Sequence, residues 1–184
     1  MSGPKTTVLS DTFEHIVLGP GVTTLNLGEA GERQLGGASD GGSFDLTRTK
    51  RIIAIAGAKG RMKGGDVVEE VLATLTVRLK DITKDDVVAA IAGANVADDT
   101  PAGWDTITGG DIESTDYITN VAYAAAYSSL GNDVICLIKN ALAGDTFSLA
   151  AEDKGEGVIE IVFEARFDPA TSTVEPWEIR FPKV

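Results

Sequence analysis

The chain has 184 residues and a mass of 19.2 kDa, and 43% of its residues are hydrophobic. This suits one compact domain with length to spare for arms and excludes global disorder. A net charge of −12 and a pI near 4.4 repel free nucleic acid, because backbone binding needs clustered lysine and arginine. One cysteine and one histidine exclude an intrachain disulfide and fall short of a zinc site, and no window approaches the ~18 apolar residues of a membrane-spanning helix.

Taken in chain order, Met1-Ser2-Gly3-Pro4-Lys5-Thr6 lacks the apolar stretch of a signal peptide, so a soluble cytoplasmic product is expected. Residues 1–21 read as an N-terminal arm ending at the punctuation Gly19-Pro20-Gly21. Val22 to Leu27 is a short β-branched strand. Residues 28–43 are glycine-rich with almost no apolar periodicity and are expected to project as a long loop. Arg51 to Gly57 reads as a strand, followed by a basic glycine turn from Gly57 to Gly65.

The longest strand is expected from Asp66 to Lys80. Val71, Ala73, Leu75, Val77 and Leu79 fall on one face, with Thr74, Thr76, Arg78 and Lys80 on the other. A helix follows over about 83–92. Thr83 is its N-cap, Asp85 and Asp86 lie in the first turn where they favour the macrodipole, and Gly93 stops it. Residues 94–116 are acidic and turn-rich and read as a second long loop.

Tyr117 to Tyr127 fits a strand, with Tyr117, Thr119, Val121 and Tyr123 on one side. It also fits an alanine-rich helix, and the Gly131-Asn132-Asp133 turn beyond it favours a hairpin. Strands are expected at Val134–Lys139, Phe147–Ala150 and Val158–Phe167. In the last of these Ile159, Ile161, Phe163, Ala165 and Phe167 share one face, with Glu160 and Glu164 on the other. Residues 174–184 are a C-terminal arm whose prolines, Pro176 and Pro182, suit an edge strand. The sum is a mainly β chain, an antiparallel β-sandwich or partly closed barrel with one flanking helix, as a single domain over 1–184.

Catalytic chemistry finds little footing. His15, the sole histidine, has no strained Gly-x-Ser-x-Gly elbow beside it. Cys136 sits in the apolar run Val134 to Ile138 and reads as a small buried hydrophobe. Asp98, Asp99, Asp105, Asp111, Glu113 and Asp116 crowd one loop but do not match the calcium-loop spacing. The turn carrying Lys59, Arg61 and Lys63 lacks the Gly-Lys-Ser/Thr ending of a phosphate loop. With only Trp104 and Trp177 as tryptophans, nothing builds an aromatic-lined sugar cleft between paired carboxylates. No catalytic, cofactor or metal residue is assigned.

Several segments together resemble the major tail tube proteins of long non-contractile-tailed bacteriophages. They run in order as Gly19-Pro20-Gly21-Val22-Thr23, Leu35-Gly36-Gly37-Ala38-Ser39-Asp40-Gly41-Gly42-Ser43-Phe44, the turn at Lys59-Gly60-Arg61-Met62-Lys63-Gly64, and Thr83-Lys84-Asp85-Asp86-Val87. The more specific match is C-terminal: Val134 to Leu142 with its Asn140-Ala141, Asp153 to Gly157 followed by Val162 to Asp168, and Pro176-Trp177-Glu178-Ile179.

The resemblance implies a structural virion protein that forms six-membered rings, the inner strands joining into one β-barrel and the rings stacking into a hollow tube for DNA ejection. It implies a virion-tail location after assembly in the host bacterial cytoplasm, and no cofactor. The implied partners are further copies of the chain, a tape measure protein, tail terminator and tip proteins, and genomic DNA in transit, with no membrane. The fold it implies is shared with contractile-tail and type VI secretion inner tubes.

On the residues themselves, Glu160 and Glu164 are candidates for a channel lining that keeps DNA from sticking, and an ordinary solvated sheet face is the other reading. Arg33, Asp40, Lys59, Arg61, Lys63, Asp98 and Asp99 are candidates for ring-to-ring contacts. Other functions stay open: a tail terminator or contractile inner tube on the same scaffold, a β-sandwich carbohydrate-binding module, and a hydrolase using His15.

Overall fold

Period-two alternation in the second half of the chain dictates strands that bury one face, and the structure stacks two such layers. The computed structural model describes residues 17–36, 39–57, 59–99, 103–127, 133–150 and 157–183. The strands are β1 (Val17–Leu25), β2 (Arg33–Gln34), β3 (Ser39–Ile52), β4 (Asp66–Leu79), β5 (Ala94–Asp99), β6 (Trp104–Gly109), β7 (Ile118–Tyr127), β8 (Asp133–Ala143), β9 (Ser148–Ala150), β10 (Val158–Glu164) and β11 (Trp177–Arg180). Among the described residues one α-helix, α1 (Lys84–Ala89), follows β4.

One antiparallel layer runs β2-β1-β7-β8 with β11 also on β8, and the other runs β3-β4-β10. On the far side of β10 the end of β8 (Leu142, Ala143) and β9 line up as one interrupted strand. β8 thus belongs to both layers. Asn140, at φ 47 where β8 turns between them, adopts a left-handed backbone that asparagine tolerates better than most residues. β2 and β3, the two ends of the path, do not pair with each other, so the sheet stays open rather than closing into a barrel.

The core lies between the layers. Leu75, Val77 and Leu79 of β4 and Ile159, Ile161 and Phe163 of β10 meet Leu25, Val121 and Ile138 of the opposing layer. The tilted rings of Phe44 and Trp177, 6.2 Å apart, join β3 to β11 at its margin. Helix α1 covers one end through Ala89 and Ala90. Thr83 caps it as expected, accepting from the Asp86 amide while the Asp86 carboxylate accepts from Thr83 N–H.

Several expected boundaries are corrected. The supposed loop 28–43 contains β2 and the start of β3. The glycines at 41–42 mark a register shift inside that strand, and a Cβ on Gly42 would lie 2.7 Å from the Thr76 carbonyl oxygen. The strand expected at Arg51–Gly57 is really β3, which ends at Ile52. Residues 17–21, assigned to an arm, belong to β1. Gly19 and Gly21, both at positive φ, form a bulge there because pairing with β7 jumps from Leu18 to Val22.

The region 94–116 holds the β5–β6 hairpin and a 3-10 turn at Ser114–Asp116. Of the expected Tyr117–Tyr127, Ile118–Tyr127 forms strand β7, paired with β8. The C-terminal segment includes β11, and β10 stops at Glu164, leaving Phe167 exposed rather than in the core.

Candidate functional site

The outward face of the β3-β4-β10 layer is built by strict pairing. Ser43, Asp45, Thr47 and Thr49 of β3 lie opposite Thr76, Thr74, Leu72 and Glu70 of β4, while Arg78, Thr76 and Thr74 lie opposite Glu160, Val162 and Glu164 of β10. Residues directly opposite one another in an antiparallel pair share a face, so these side chains form one continuous surface. It is short-chained, rich in hydroxyls and net acidic: four carboxylates stand against the guanidiniums of Arg78 and Arg166.

Both candidate channel residues are on this face, and neither stands alone. Arg78 Nε donates to Glu160 Oε2 at 2.8 Å, and Arg166 Nη2 donates to Glu164 Oε2 at 2.6 Å. Ser43 Oγ donates to Asp45 Oδ2 at 3.0 Å. Ser43, Asp45, Thr47 and Thr49 are not among the sequence candidates, because reading 28–43 as a loop and Arg51–Gly57 as the next strand leaves 44–50 unassigned. The alternation of Phe44 and Leu46 with these polar neighbours was the available signal.

The layer has two free edges. β3 is 14 residues long, pairs among the described residues on one side only, and contains no proline to block an incoming strand. The other edge is β9, where Leu149 is 60% exposed although it shares the inner face with the buried Ile159.

The candidate ring contacts fall into four groups. Arg33 does not reach outward: its Nη1 donates to Asp86 Oδ1 at 2.8 Å and its Nη2 to the Asp85 carbonyl at 2.9 Å, tying β2 to α1 inside the chain. Asp40 lies in β3. Lys59, Arg61 and Lys63 sit exposed in the turn that ends the long β3–β4 hairpin. Asp98 and Asp99 lie in β5, opposite Asp105 and Trp104 of β6.

Lys84 Nζ donates to Asp105 at 2.6 Å and anchors that hairpin to α1. The Asp105 bond raises the Lys84 pKa above its ordinary value, with Asp85 and Asp98 adding to it. The exposed Trp104 was not singled out as a contact residue from the sequence.

The remaining candidates for chemistry are not brought together. His15 lies outside the described residues. Among the described residues, no group of three or more His, Cys, Asp or Glu side chains is placed to hold a metal ion. Asp116 caps its own turn by accepting from Glu113 N–H. Cys136 is half-buried in β8, and burial pushes its thiol pKa up, away from the reactive thiolate. Among the described residues, no helix is long and apolar enough to cross a membrane.

No protein-family model matches the chain, and no curated protein matches it in sequence. Among solved structures it is similar to a chain in the tail of an empty gene transfer agent particle with C6 symmetry, at 10% identity and TM-score 0.45, over 89% of this chain and 96% of that one. It is also similar to the tube-terminating cap of the anti-feeding prophage, at 10% identity and TM-score 0.49, over 95% and 100% of the two chains. A third likeness is to a chain of the native gene transfer agent virion, at 11% identity and TM-score 0.44, over 81% and 92%.

Proposed function

We propose that the chain is a non-enzymatic structural subunit that assembles with copies of itself into rings and a hollow phage tail tube. The observation that carries this is the β3-β4-β10 layer: a smooth acidic and hydroxyl face bounded by two open edges. A long strand edge without proline or cover invites further pairing. Closing β3 of one copy onto β9 of the next would remove both edges and cover Leu149. The continuous surface so formed would turn Glu160 and Glu164 towards a lumen, where net negative charge repels a passing DNA duplex.

The dimensions agree. Four strands per copy at about 4.8 Å spacing in a six-membered ring give a circumference of about 115 Å and a backbone diameter of about 37 Å. Strand tilt would widen it further. The sequence resemblance to tail tube proteins supports the same reading and supplies the expected company of tape measure, terminator and tip proteins.

Sedimentation velocity over a concentration series tests the proposal. Ring-sized species giving way to much larger particles would uphold it, and a single monomeric species at every concentration would count against it.

One observation favours a second reading, a carbohydrate-binding module. Tyr117 and Phe167 line a cleft of about 510 Å³ together with Ser114, Asn140, Arg166 and Asp168, an aromatic and polar mix that sugars use. A glycan array with hits abolished by Phe167→Ala would favour it, and an array without hits would remove it.

A further inference from the structure

Charge is segregated along this chain in a way that its overall acidity conceals. Between Asp45 and Asp66 there is no acidic residue, while Arg48, Lys50, Arg51, Lys59, Arg61 and Lys63 all lie there. Between Lys84 and Lys139 there is no lysine or arginine, while Asp98, Asp99, Asp105, Asp111, Glu113 and Asp116 all lie there. The fold places these poles apart. The basic stretch lies in the outer part of the β3–β4 hairpin, where Arg48 and Arg51 pair within the chain with Glu175 and Glu69 and the positive pole narrows to the tip at Lys59, Arg61 and Lys63. β4 then runs 14 residues, about 45 Å at the strand rise, before α1 and the acidic β5–β6 hairpin begin.

Each pole also carries apolar side chains without cover. On the basic arm Ile53, Ile55 and Met62 are exposed, Ile55 to 56%. On the acidic hairpin Trp104 is 75% exposed on the face it shares with Asp99, and Val96 is exposed on the other face. Large apolar groups ringed by charge are the composition of an interface anchor, and tryptophan is the residue most enriched in such anchors. Among the described residues the β5–β6 hairpin pairs with no other strand. Lys84 and the Gly110 N–H bond to the Gly93 carbonyl tie it to the rest of the chain, but two strands alone add little stability in water, so a docked partner would stabilise it.

We infer that the tip of the β3–β4 arm in one copy seats on the β5–β6 hairpin of another copy, Ile53, Ile55 and Met62 meeting Trp104 while Lys59, Arg61 and Lys63 face the acidic residues. The occupant is a second copy of this chain, since the two surfaces complement each other in charge and neither complements itself. A self-matched contact would set like charges together. A contact between two different patches at opposite ends of β4 is head-to-tail and propagates. It therefore supplies layer-to-layer stacking with a fixed polarity, distinct from the side-by-side strand closure within a ring. The inference rests on the tube reading for its biological setting, though not for the contact itself.

Disulfide trapping tests it. Two full-length chains, one Met62→Cys and one Trp104→Cys, both with Cys136→Ser, are mixed, oxidised mildly and run on non-reducing gels. The mixed disulfide is expected to dominate over either like-with-like species and to be lost in high salt, which screens the steering charges. Like-with-like disulfides at equal or higher yield, or no disulfide at any concentration, would overturn the inference.

Electron microscopy of Lys59→Glu/Arg61→Glu/Lys63→Glu separates it from the tube reading. Single rings that no longer stack are expected. Tubes like those of the parent chain would sink the stacking contact and leave the tube standing. Absence of rings in the parent chain would sink the tube, while the disulfide result would still decide the contact.

Discussion

Asp86 is 1% exposed, a carboxylate held inside the protein by three donors. Thr83 N–H donates at 3.1 Å, Thr83 Oγ1 at 2.8 Å and Arg33 Nη1 at 2.8 Å. Arg33→Ala removes the only positive charge among them. Breaking a fully buried ion pair in this way costs about 3–5 kcal/mol. Here the Arg33 side chain is 35% exposed, so water partly replaces it, and a loss of about 2–3 kcal/mol is expected.

For a chain of this size that lowers Tm by about 4–12 °C. Thermal and urea unfolding followed by circular dichroism, at concentrations where the protein is monomeric, reads the effect. Asp86→Asn in the same background should recover part of the loss, because it removes the stranded charge while keeping a side chain of the same shape. A loss below about 0.5 kcal/mol, the range of ordinary surface substitutions, would refute the reasoning. So would strict additivity of the two changes. A variant with unchanged monomer stability and abolished assembly would instead return Arg33 to the role of an intersubunit contact.

Thr23 Oγ1 is buried with no hydrogen-bond partner among the described residues, so Thr23→Val should leave stability unchanged or raise it by about 1 kcal/mol; a clear loss in urea unfolding would show that the hydroxyl has a partner. Tyr123 and Cys136 pair across β7 and β8, and burial is the main cause raising both pKa values, with the Gly42 backbone bond opposing it at Tyr123. The folded state then holds both protons more tightly than the unfolded state does. Their contribution is complete at neutral pH and falls as pH rises past about 9, so Tm should drop between about pH 9 and 11, and less in Tyr123→Phe/Cys136→Ala. Equal drops in parent and variant would contradict this. Glu160→Lys/Glu164→Lys should leave assembly intact and make tubes retain duplex DNA with a steep salt dependence; no retention at low salt would remove these residues from the lumen.

Where burial imposed a period, the residues announced their structure. The alternation in β4 and β10, the Thr83 cap and the β7–β8 hairpin could all be read from spacing, because each answers to a core or a local bond. β3 was hidden because its glycines, which usually signal loops, here make room for the close approach of Thr76. The β5–β6 hairpin was hidden for the opposite reason: it packs little of itself into the core, so no apolar alternation marks it.

Arg33 illustrates the limit for sites. Its partner Asp86 is 53 residues away, and no local pattern distinguishes a charge aimed inward at α1 from one aimed at a neighbour. Glu160 and Glu164 were legible as an outward pair, whereas the Arg78 and hydroxyl neighbours that define their face required the strand register.

Negative-stain electron microscopy of the purified chain across a concentration series tests the tube reading most directly. Rings and stacked tubes with an open central channel are the expected images. Monomers at every concentration, or solid filaments with no channel, would contradict the account.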